Sequence, residues 1–283
     1  MDAHSGEVAS GGRFEFGKNW ARFLRVLDES RIVEAENSLK TTLEVESLEG
    51  RSFLDVGSGS GLFSLAARRL GARVFSFDYD AQSVACTKEL RSRFFQNDGL
   101  WTVERGSILD DEYIRALPKF DIVYSWGVLH HTGNMWRAME NVLHPLEKDG
   151  RLYIAIYNDQ GHWSIFWSHI KKLYNWLPKS LRLPFALLVM GPRDLRSLLF
   201  SIITFRPMRY VRSWTEYGSV RGMSKWIDMI DWVGGYPFEV ATPGQLVDFF
   251  RAQGFVLEKL VTCAGAAGCN EFVFSRKPVI QNR

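Results

Sequence analysis

Apolar and polar positions between residues 51 and 157 follow two alternating periods. Five short apolar runs predict strands, and the segments after them carry apolar residues at helical spacing. The runs are "RSFLDV", "ARVFSFD", "WTVERGS", "FDIVYSW" and "GRLYIAIYN". Strands that alternate with helices at this spacing predict an α/β fold, with a parallel sheet covered by helices on both faces.

The segment before the first strand has a different pattern. Between residues 14 and 50, apolar side chains recur near helical spacing, at Trp20, Phe23, Leu24, Leu27 and Ile32. Residues 1–13 show no such pattern, and we expect a short disordered lead there. This lead lacks the apolar stretch of a secretory signal.

The alternation stops after Asn158 and returns near residue 241. The intervening segment is aromatic, basic and punctuated by prolines, which favours a mainly helical insertion. In "TPGQLVDFFRAQG" we predict Thr242 as the N-cap of a helix and Pro243 as its first residue. The final strands, "FVLEKLVT" and "NEFVFSRK", flank a gap too short for a crossover helix, so they must pair antiparallel. We therefore divide the chain into segments 1–50, 51–157, 158–240 and 241–283.

The stretch "FLDVGSGSGLFSL" carries the strongest chemical signal. A strand runs into Gly57, Gly59 and Gly61, and a helix follows; glycines let the backbone turn sharply and approach a ligand. The second strand ends in Asp78, which is well placed to accept ribose hydroxyls. The spacing is GxGxG rather than the GxGxxG of dinucleotide sites, and the closing antiparallel hairpin also argues against such a site.

Together these features resemble the class I S-adenosylmethionine (SAM)-dependent methyltransferases. "LDVGSGSG", "FSFDYD", "RGSILD" and "FDIVYSWGVLHH" are similar to the family's first four motifs, and the resemblance covers about 50–157 and 241–277. It implies strand order 3-2-1-4-5-7-6 with strand 7 antiparallel, SAM as cofactor and S-adenosylhomocysteine (SAH) as product. "WGVLHHTG", "AIYNDQG" and "GGYPFEVATP" loosely resemble a small-molecule branch that includes ubiquinone-type O-methyltransferases.

The resemblance also implies which residues hold the cofactor. Asp55 and the backbone from Gly57 to Gly61 would hold the methionine moiety, Asp78 the ribose, and Tyr79 one face of the adenine. The remaining contacts would come from the ends of strands three and four. The expected cofactor residues are Asp55, Gly57, Ser58, Gly59, Gly61, Asp78, Tyr79, Ser107, Ile108, Ser125 and Trp126.

Two adjacent histidines follow strand four. Ligands of open α/β sheets bind beyond the carboxyl ends of the strands, so His130 or His131 could face the acceptor and take its proton. We favour His131, which precedes the "TGN" turn; a structural role remains open for both. Neighbouring histidines point in different directions and no spaced ligand set accompanies them, so we predict no metal site. Second-line candidates for the base are His162 and His169 in the insertion, and Tyr157 and Asn158 could orient an acceptor.

Two segments are candidates for a lid over the site. We expect the first to fold over the cofactor through Arg13, Phe14, Phe16 and Trp20, unless they only pack against the sheet. The second is the insertion. Residues 163–213 hold nine Lys/Arg and one acid, a net charge of +8, whereas the remainder is −5 in a chain of net +3. This basic, aromatic stretch could contact an anionic membrane, an anionic small substrate or RNA, or be a solvated helical face.

We therefore predict a SAM-dependent enzyme that methylates a small molecule, most simply at a hydroxyl oxygen. The acceptor is expected to be anionic or lipid-linked. Nitrogen or sulfur acceptors, a non-catalytic SAM-binding membrane scaffold and an RNA methyltransferase are the alternatives. Nucleic acid is disfavoured because a separate binding module is lacking. Three cysteines without a CxxC pair fit a cytoplasmic protein, peripheral to the membrane if the insertion binds it, and no apolar run is long enough to predict a transmembrane helix.

Overall fold

A seven-stranded sheet organises the computed structural model, which describes residues 3–96, 98–215 and 225–276. The strand order is β3-β2-β1-β4-β5-β7-β6. The first five strands pair in parallel, and β7 is antiparallel to both of its neighbours. The predicted α/β fold, strand order and final hairpin are confirmed. The strands are β1 (Ser52–Val56), β2 (Arg73–Asp78), β3 (Trp101–Arg105), β4 (Phe120–Trp126), β5 (Leu146–Tyr157), β6 (Phe255–Val261) and β7 (Cys269–Arg276).

Helices cover both faces of the sheet. They are α1 (Ala3–Ala9), α2 (Phe16–Phe23), α3 (Glu29–Leu43), α4 (Leu62–Arg69), α5 (Ala81–Phe94), α6 (Asp111–Ala116), α7 (Met135–Asn141), α8 (His162–Trp176), α9 (Lys179–Ile203), α10 (Pro207–Thr215), α11 (Lys225–Gly234) and α12 (Pro243–Ala252). Successive strand residues face opposite layers: Phe53 belongs to the apolar cluster with α3, α4 and α5, and Leu54 to the cluster with α7 and α12. Thr242 and Gln245 form a capping box at the start of α12, with Pro243 in its first turn.

Residues 3–9 form a helix where the sequence predicted a disordered lead. Helix α1 docks beside the end of β2 because His4 is buried, with its ring 5.3 Å from the Tyr79 ring and its Nδ1 3.8 Å from the Asp80 carboxylate. The prediction for residues 1–13 was therefore wrong for the described part. Helix α1 has no apolar stripe of its own. Polar and aromatic tertiary contacts with the β2–α5 turn hold it in place, and the local sequence does not show them.

The insertion adds a helical layer over the carboxyl end of the sheet. A small cluster formed by Phe14, Tyr174, Ala186 and Val233 joins it to the segment before α2. Helix α9 runs for 25 residues and continues through Pro184 and Pro192, although the sequence predicted breaks at these prolines. Within the described ranges, no helix combines the length and apolarity needed to cross a bilayer.

Candidate functional site

The glycine turn between β1 and α4 has the backbone that the sequence predicted. The φ angles are +79° at Gly57, +56° at Gly59 and +80° at Gly61, a region that side chains rarely allow. A Cβ on Gly57 would lie 2.4 Å from Val128 Cγ1, and one on Gly59 2.9 Å from the indole nitrogen of Trp20. The loop after β4 and helix α2 therefore approach this turn so closely that only glycine fits at Gly57 and Gly59.

This turn opens into a cavity of about 590 Å³ at the carboxyl edge of β1, β2 and β4. Its lining contains Arg13, a predicted lid residue, and twelve other residues that were predicted from the sequence. The twelve are Phe16, Trp20, Asp55, Gly57, Ser58, Gly59, Asp78, Tyr79, Ser107, Ile108, Trp126 and His131.

Besides His130, which is treated below, and the exposed His169 of α8, six predicted site residues do not line the cavity. Gly61 caps α4, and Phe14 packs against Tyr174 with its ring centroid 6.0 Å away. Ser125 was expected beside the methyl donor, but it is fully buried because its hydroxyl donates to the Val56 carbonyl at 3.0 Å and joins two strands. The other three are treated below.

The remaining three lie at the end of β5 and the start of α8. Tyr157 stacks on His130, with ring centroids 3.9 Å apart. Asn158 accepts a 3.0 Å hydrogen bond from the Asn270 side chain and so pins the β7 hairpin. His162 is exposed at the first residue of α8.

Two carboxylates face the cavity in a poorly solvated setting. Asp55 is buried and accepts a hydrogen bond from Ser64 at 2.5 Å. Burial raises the pKa of Asp55 from 3.8 to about 7, and the neighbouring Asp78 adds to the shift. Asp78 accepts backbone hydrogen bonds from Gly59 and Asp80, both at 2.9 Å, and burial raises its pKa to about 6. Both groups would gain from a cation or hydroxyl donors in the cavity.

The N-terminal segment closes the side of the cavity that Tyr79 lines. Glu7 of α1 accepts a 3.2 Å hydrogen bond from the Tyr79 hydroxyl and a 2.5 Å bond from Arg13. Arg13 also lies over the Tyr79 ring, 5.2 Å from its centroid, and donates to the carbonyls of His131 and Thr132 at 2.8 and 3.3 Å. Sequence reasoning missed His4 and Glu7 because nothing in "AHSGEVA" marks a site.

The two histidines have different surroundings. His131 lines the cavity, and its Nδ1 lies 2.6 Å from the carbonyl oxygen of Pro237. Because a carbonyl only accepts, Nδ1 must carry the hydrogen, which leaves a lone pair on Nε2. His130 is fully buried outside the cavity lining, and its Nδ1 accepts the backbone N–H of Tyr157 at 3.3 Å.

Burial keeps both imidazoles neutral. It lowers the pKa of His131 from 6.5 to about 3, with a further contribution from the charge of Lys171. It lowers the pKa of His130 as well, again with a contribution from neighbouring charge. Among residues 3–96, 98–215 and 225–276, no group of three or more potential ligand side chains could hold a metal ion.

Comparison with known proteins decides the family. A family model described as "Methyltransferase domain" matches residues 27–198, and the strand order is that of the class I fold. The chain belongs to the class I SAM-dependent methyltransferases. This methyltransferase aligns with the ubiquinone biosynthesis O-methyltransferase of Glaesserella parasuis, 27% identical over 115 residues, which are 41% of this chain and 49% of the relative. It also aligns with the ribosomal protein L11 methyltransferase of Helicobacter hepaticus, 35% identical over 78 residues, or 27% of this chain and 23% of the relative.

Solved structures agree on the fold. The magnesium protoporphyrin IX methyltransferase of Synechocystis, solved with bound SAH, superposes with a TM-score of 0.54 at 12% identity, covering 92% of this methyltransferase and 94% of that chain. The alignments to the two curated relatives span about a quarter and a half of their lengths. What these proteins act on therefore does not carry over to this chain directly.

Proposed function

We propose that this protein transfers a methyl group from SAM to the hydroxyl oxygen of a small-molecule acceptor. One observation carries the proposal. A single cavity joins the glycine turn and Asp78 on one side to a neutral histidine, His131, on the other. The first pair suits a nucleoside with a charged tail, and the second suits an acceptor that has a proton to lose.

The cavity fits the cofactor. Its turn is kept open by three positions where a Cβ would collide or be strained, so backbone can approach a ligand closely. Asp78 would accept the ribose hydroxyls, Asp55 and the turn would hold the methionine moiety, and Tyr79 and Ile108 would flank the adenine. The bound cofactor supplies a methyl group on a sulfonium sulfur, which is electrophilic.

His131 supplies the orientation and the proton acceptor on the other side. Its Nε2 lone pair accepts a hydrogen bond from the acceptor hydroxyl and so aims the oxygen. An acceptor oxygen that gained the methyl group, with the thioether as the leaving group, would become positive, and its proton would become strongly acidic. An imidazole with a low pKa suffices to take that proton and pass it to water.

The test is transfer of radiolabelled methyl from SAM into metabolite fractions, followed by the rate of the active fraction. We expect His131→Gln to lower the rate about 10²-fold at neutral pH while SAH affinity persists. His144→Gln, an exposed histidine far from the cavity, is the matched control. An unchanged His131→Gln rate would point to a nitrogen or sulfur acceptor. Ligand binding with no transfer into any fraction would favour a non-catalytic scaffold.

A second proposal concerns the insertion, and it rests on a separate observation. Helices α9 and α10 and the turn between them expose large apolar side chains among basic ones; Phe205 is 94% exposed, Ile203 73% and Leu188 72%. We call this the docking surface. It consists of Leu188, Arg193, Leu195, Arg196, Leu199, Phe200, Ile203, Phe205, Arg206, Met208, Arg209 and Arg212.

We propose that the docking surface binds an anionic membrane, which makes this a cytoplasmic, peripheral methyltransferase with an anionic or lipid-linked acceptor. Exposed apolar residues of this size are costly in water and gain by entering the headgroup region. Each arginine near an anionic bilayer contributes about 1 kcal/mol. RNA fits less well because a polyanion offers nothing to the exposed aliphatic side chains.

Vesicle flotation tests this proposal. We expect wild-type protein to float with phosphatidylglycerol vesicles, to float less with phosphatidylcholine, and to be released by salt. Ile203→Asp should reduce flotation strongly. Val33→Asp, which changes a β-branched residue on the outer face of α3, should not. Equal flotation with both lipids would refute a preference for an anionic membrane, and no flotation with either would refute membrane binding.

A further inference from the structure

A lysine lies fully buried behind the two histidines. Lys171 is on the inner face of α8, and no part of it reaches solvent. Burial of a lysine is costly unless other groups compensate its charge. The compensation must therefore be found around its ammonium group.

Helix α11 and three aromatic rings provide it. The Lys171 ammonium donates a hydrogen bond to the carbonyl of Trp232, in the last turn of α11, where the helix dipole is negative. It also lies over the faces of the Tyr157, Trp232 and Phe238 rings, at 5.5, 4.8 and 4.7 Å from their centroids. These contacts stabilise a cation at this position.

The same rings bring the cation close to the site. Tyr157 contacts the lysine on one side and the His130 ring on the other, 3.9 Å between ring centroids, and the His130 and His131 rings are 4.5 Å apart. The positive charge of Lys171 disfavours protonation of both imidazoles.

Besides the cavity carboxyls Asp55 and Asp78, whose raised pKa values keep them protonated below about pH 6, few titratable groups face His131. His130 lies beside it, and Arg13 donates to its backbone carbonyl. Asp231 of α11 acts on Lys171 with the opposite sign, but its carboxylate also accepts a hydrogen bond from Asn19 at 2.5 Å. The balance around the imidazole is therefore positive.

We propose that Lys171 is a positioning residue that adds to burial in keeping the His131 ring neutral, with the Nε2 lone pair available to the acceptor. It places a buried cation against the Tyr157 ring, which also contacts the His131 ring, with 5.4 Å between the ring centroids. It also fixes the end of α11, and the chain after α11 carries the Pro237 carbonyl that orients Nδ1. This inference rests on the proposed role of His131. Lys171 does not line the cavity, so it acts through His131 and not on the substrate.

The test is a ¹⁵N NMR titration of the histidine rings in the full chain, without cofactor, acceptor or membranes. Burial lowers the pKa of Lys171 to about 7, so its loss of charge should be seen by a ring next to it. In the wild type we expect His131 to keep one neutral tautomer and to show a small inflection near pH 7. In Lys171→Met the inflection should vanish, and protonation of His131 at acid pH should begin roughly one pH unit higher.

Two variants separate charge from packing. Lys171→Arg keeps the charge, so it should lose the inflection but keep the wild-type onset of protonation. Lys172→Met removes the exposed lysine next to it on α8 and should match the wild type throughout. A Lys171→Met profile identical to that of Lys172→Met would overturn the proposal. So would a wild-type His131 that titrates near 6.5.

The outcome does not depend on finding the acceptor. If Lys171→Met fails to bind SAH and is unfolded, the titration of Asp55→Asn decides, because this variant removes the other group near His131 with a pKa of about 7: an inflection near pH 7 supports the proposal, and its absence refutes it. Failure of the proposed function has a different signature, a His131→Gln enzyme with full activity, which leaves the titration result unchanged.

Discussion

Replacement of Asp55 by Asn should stabilise the cofactor-free protein at alkaline pH. The Asp55 carboxyl has a pKa of about 7 in the folded chain against 3.8 when exposed, because burial disfavours its charge. Because folding raises the pKa of Asp55, this group contributes its full stability below the unfolded pKa of 3.8. That contribution is lost as the pH rises to about 7, the folded value. The wild type thus carries a penalty at pH 8 that the amide does not.

The size of the penalty follows from the two pKa values. Each unit of difference corresponds to about 1.36 kcal/mol, so ionisation of Asp55 costs up to about 4 kcal/mol in the folded protein. About 3 kcal/mol of this falls between pH 5 and pH 8, a range accessible to urea unfolding followed by tryptophan fluorescence. The measured quantity is the difference in free energy of unfolding between wild type and Asp55→Asn at each pH.

Asp98→Asn is the control of opposite sign. A hydrogen bond from Arg68 lowers the pKa of Asp98, so its contribution is complete above about pH 5 and disappears only in acid. The wild type should be more stable than this variant by a constant amount from pH 5 to pH 8. A wild-type to Asp55→Asn difference that is equally flat would refute the argument that Asp55 is ionised at a cost.

Three further predictions concern the cofactor turn and the sheet. Asp78→Asn should weaken SAH binding by about ten- to hundred-fold in calorimetry, because hydrogen bonds to a charged acceptor are lost; unchanged affinity would exclude Asp78 as the ribose acceptor. Gly57→Ala should lose cofactor binding and about 1–3 kcal/mol of stability, since its Cβ would lie 2.4 Å from Val128 Cγ1. Gly127→Ala has nearly the same φ (+73°) but an unobstructed Cβ, so it should cost only about 1 kcal/mol; equal losses would mean that backbone strain alone matters. Thr242→Ala removes the capping box and should cost about 1 kcal/mol in urea unfolding with SAH affinity intact.

The sequence was sufficient for the sheet and the cofactor turn because both depend on local rules. Alternating apolar periods place strands and helices, and three glycines in a row of five residues leave few backbone conformations. The gap between the last two strands excludes a crossover, which determines the direction of β7. These signals lie within about twenty residues of the feature that they predict.

The acceptor side could not be predicted in the same way. The partner of His131 Nδ1 is a carbonyl 106 residues further along, and Lys171 reaches Trp232 across 61 residues. The following "TGN" turn favoured His131 as the cavity residue, but nothing in the sequence shows that His130 is packed under Tyr157. Only the packing of the insertion on the sheet distinguishes them.

The guanidinium of Arg13 has a kinetic consequence. Its hydrogen bond to Glu7 holds α1 beside Tyr79, and its hydrogen bonds to the carbonyls of His131 and Thr132 hold the loop after β4. One side chain thus ties α1 to the loop after β4 across the lining of one cavity, and a displacement of the N-terminal segment would break these hydrogen bonds together. We therefore expect binding of the methyl donor and release of the methylated product to require the same movement. Each opening would then allow one exchange of both ligands.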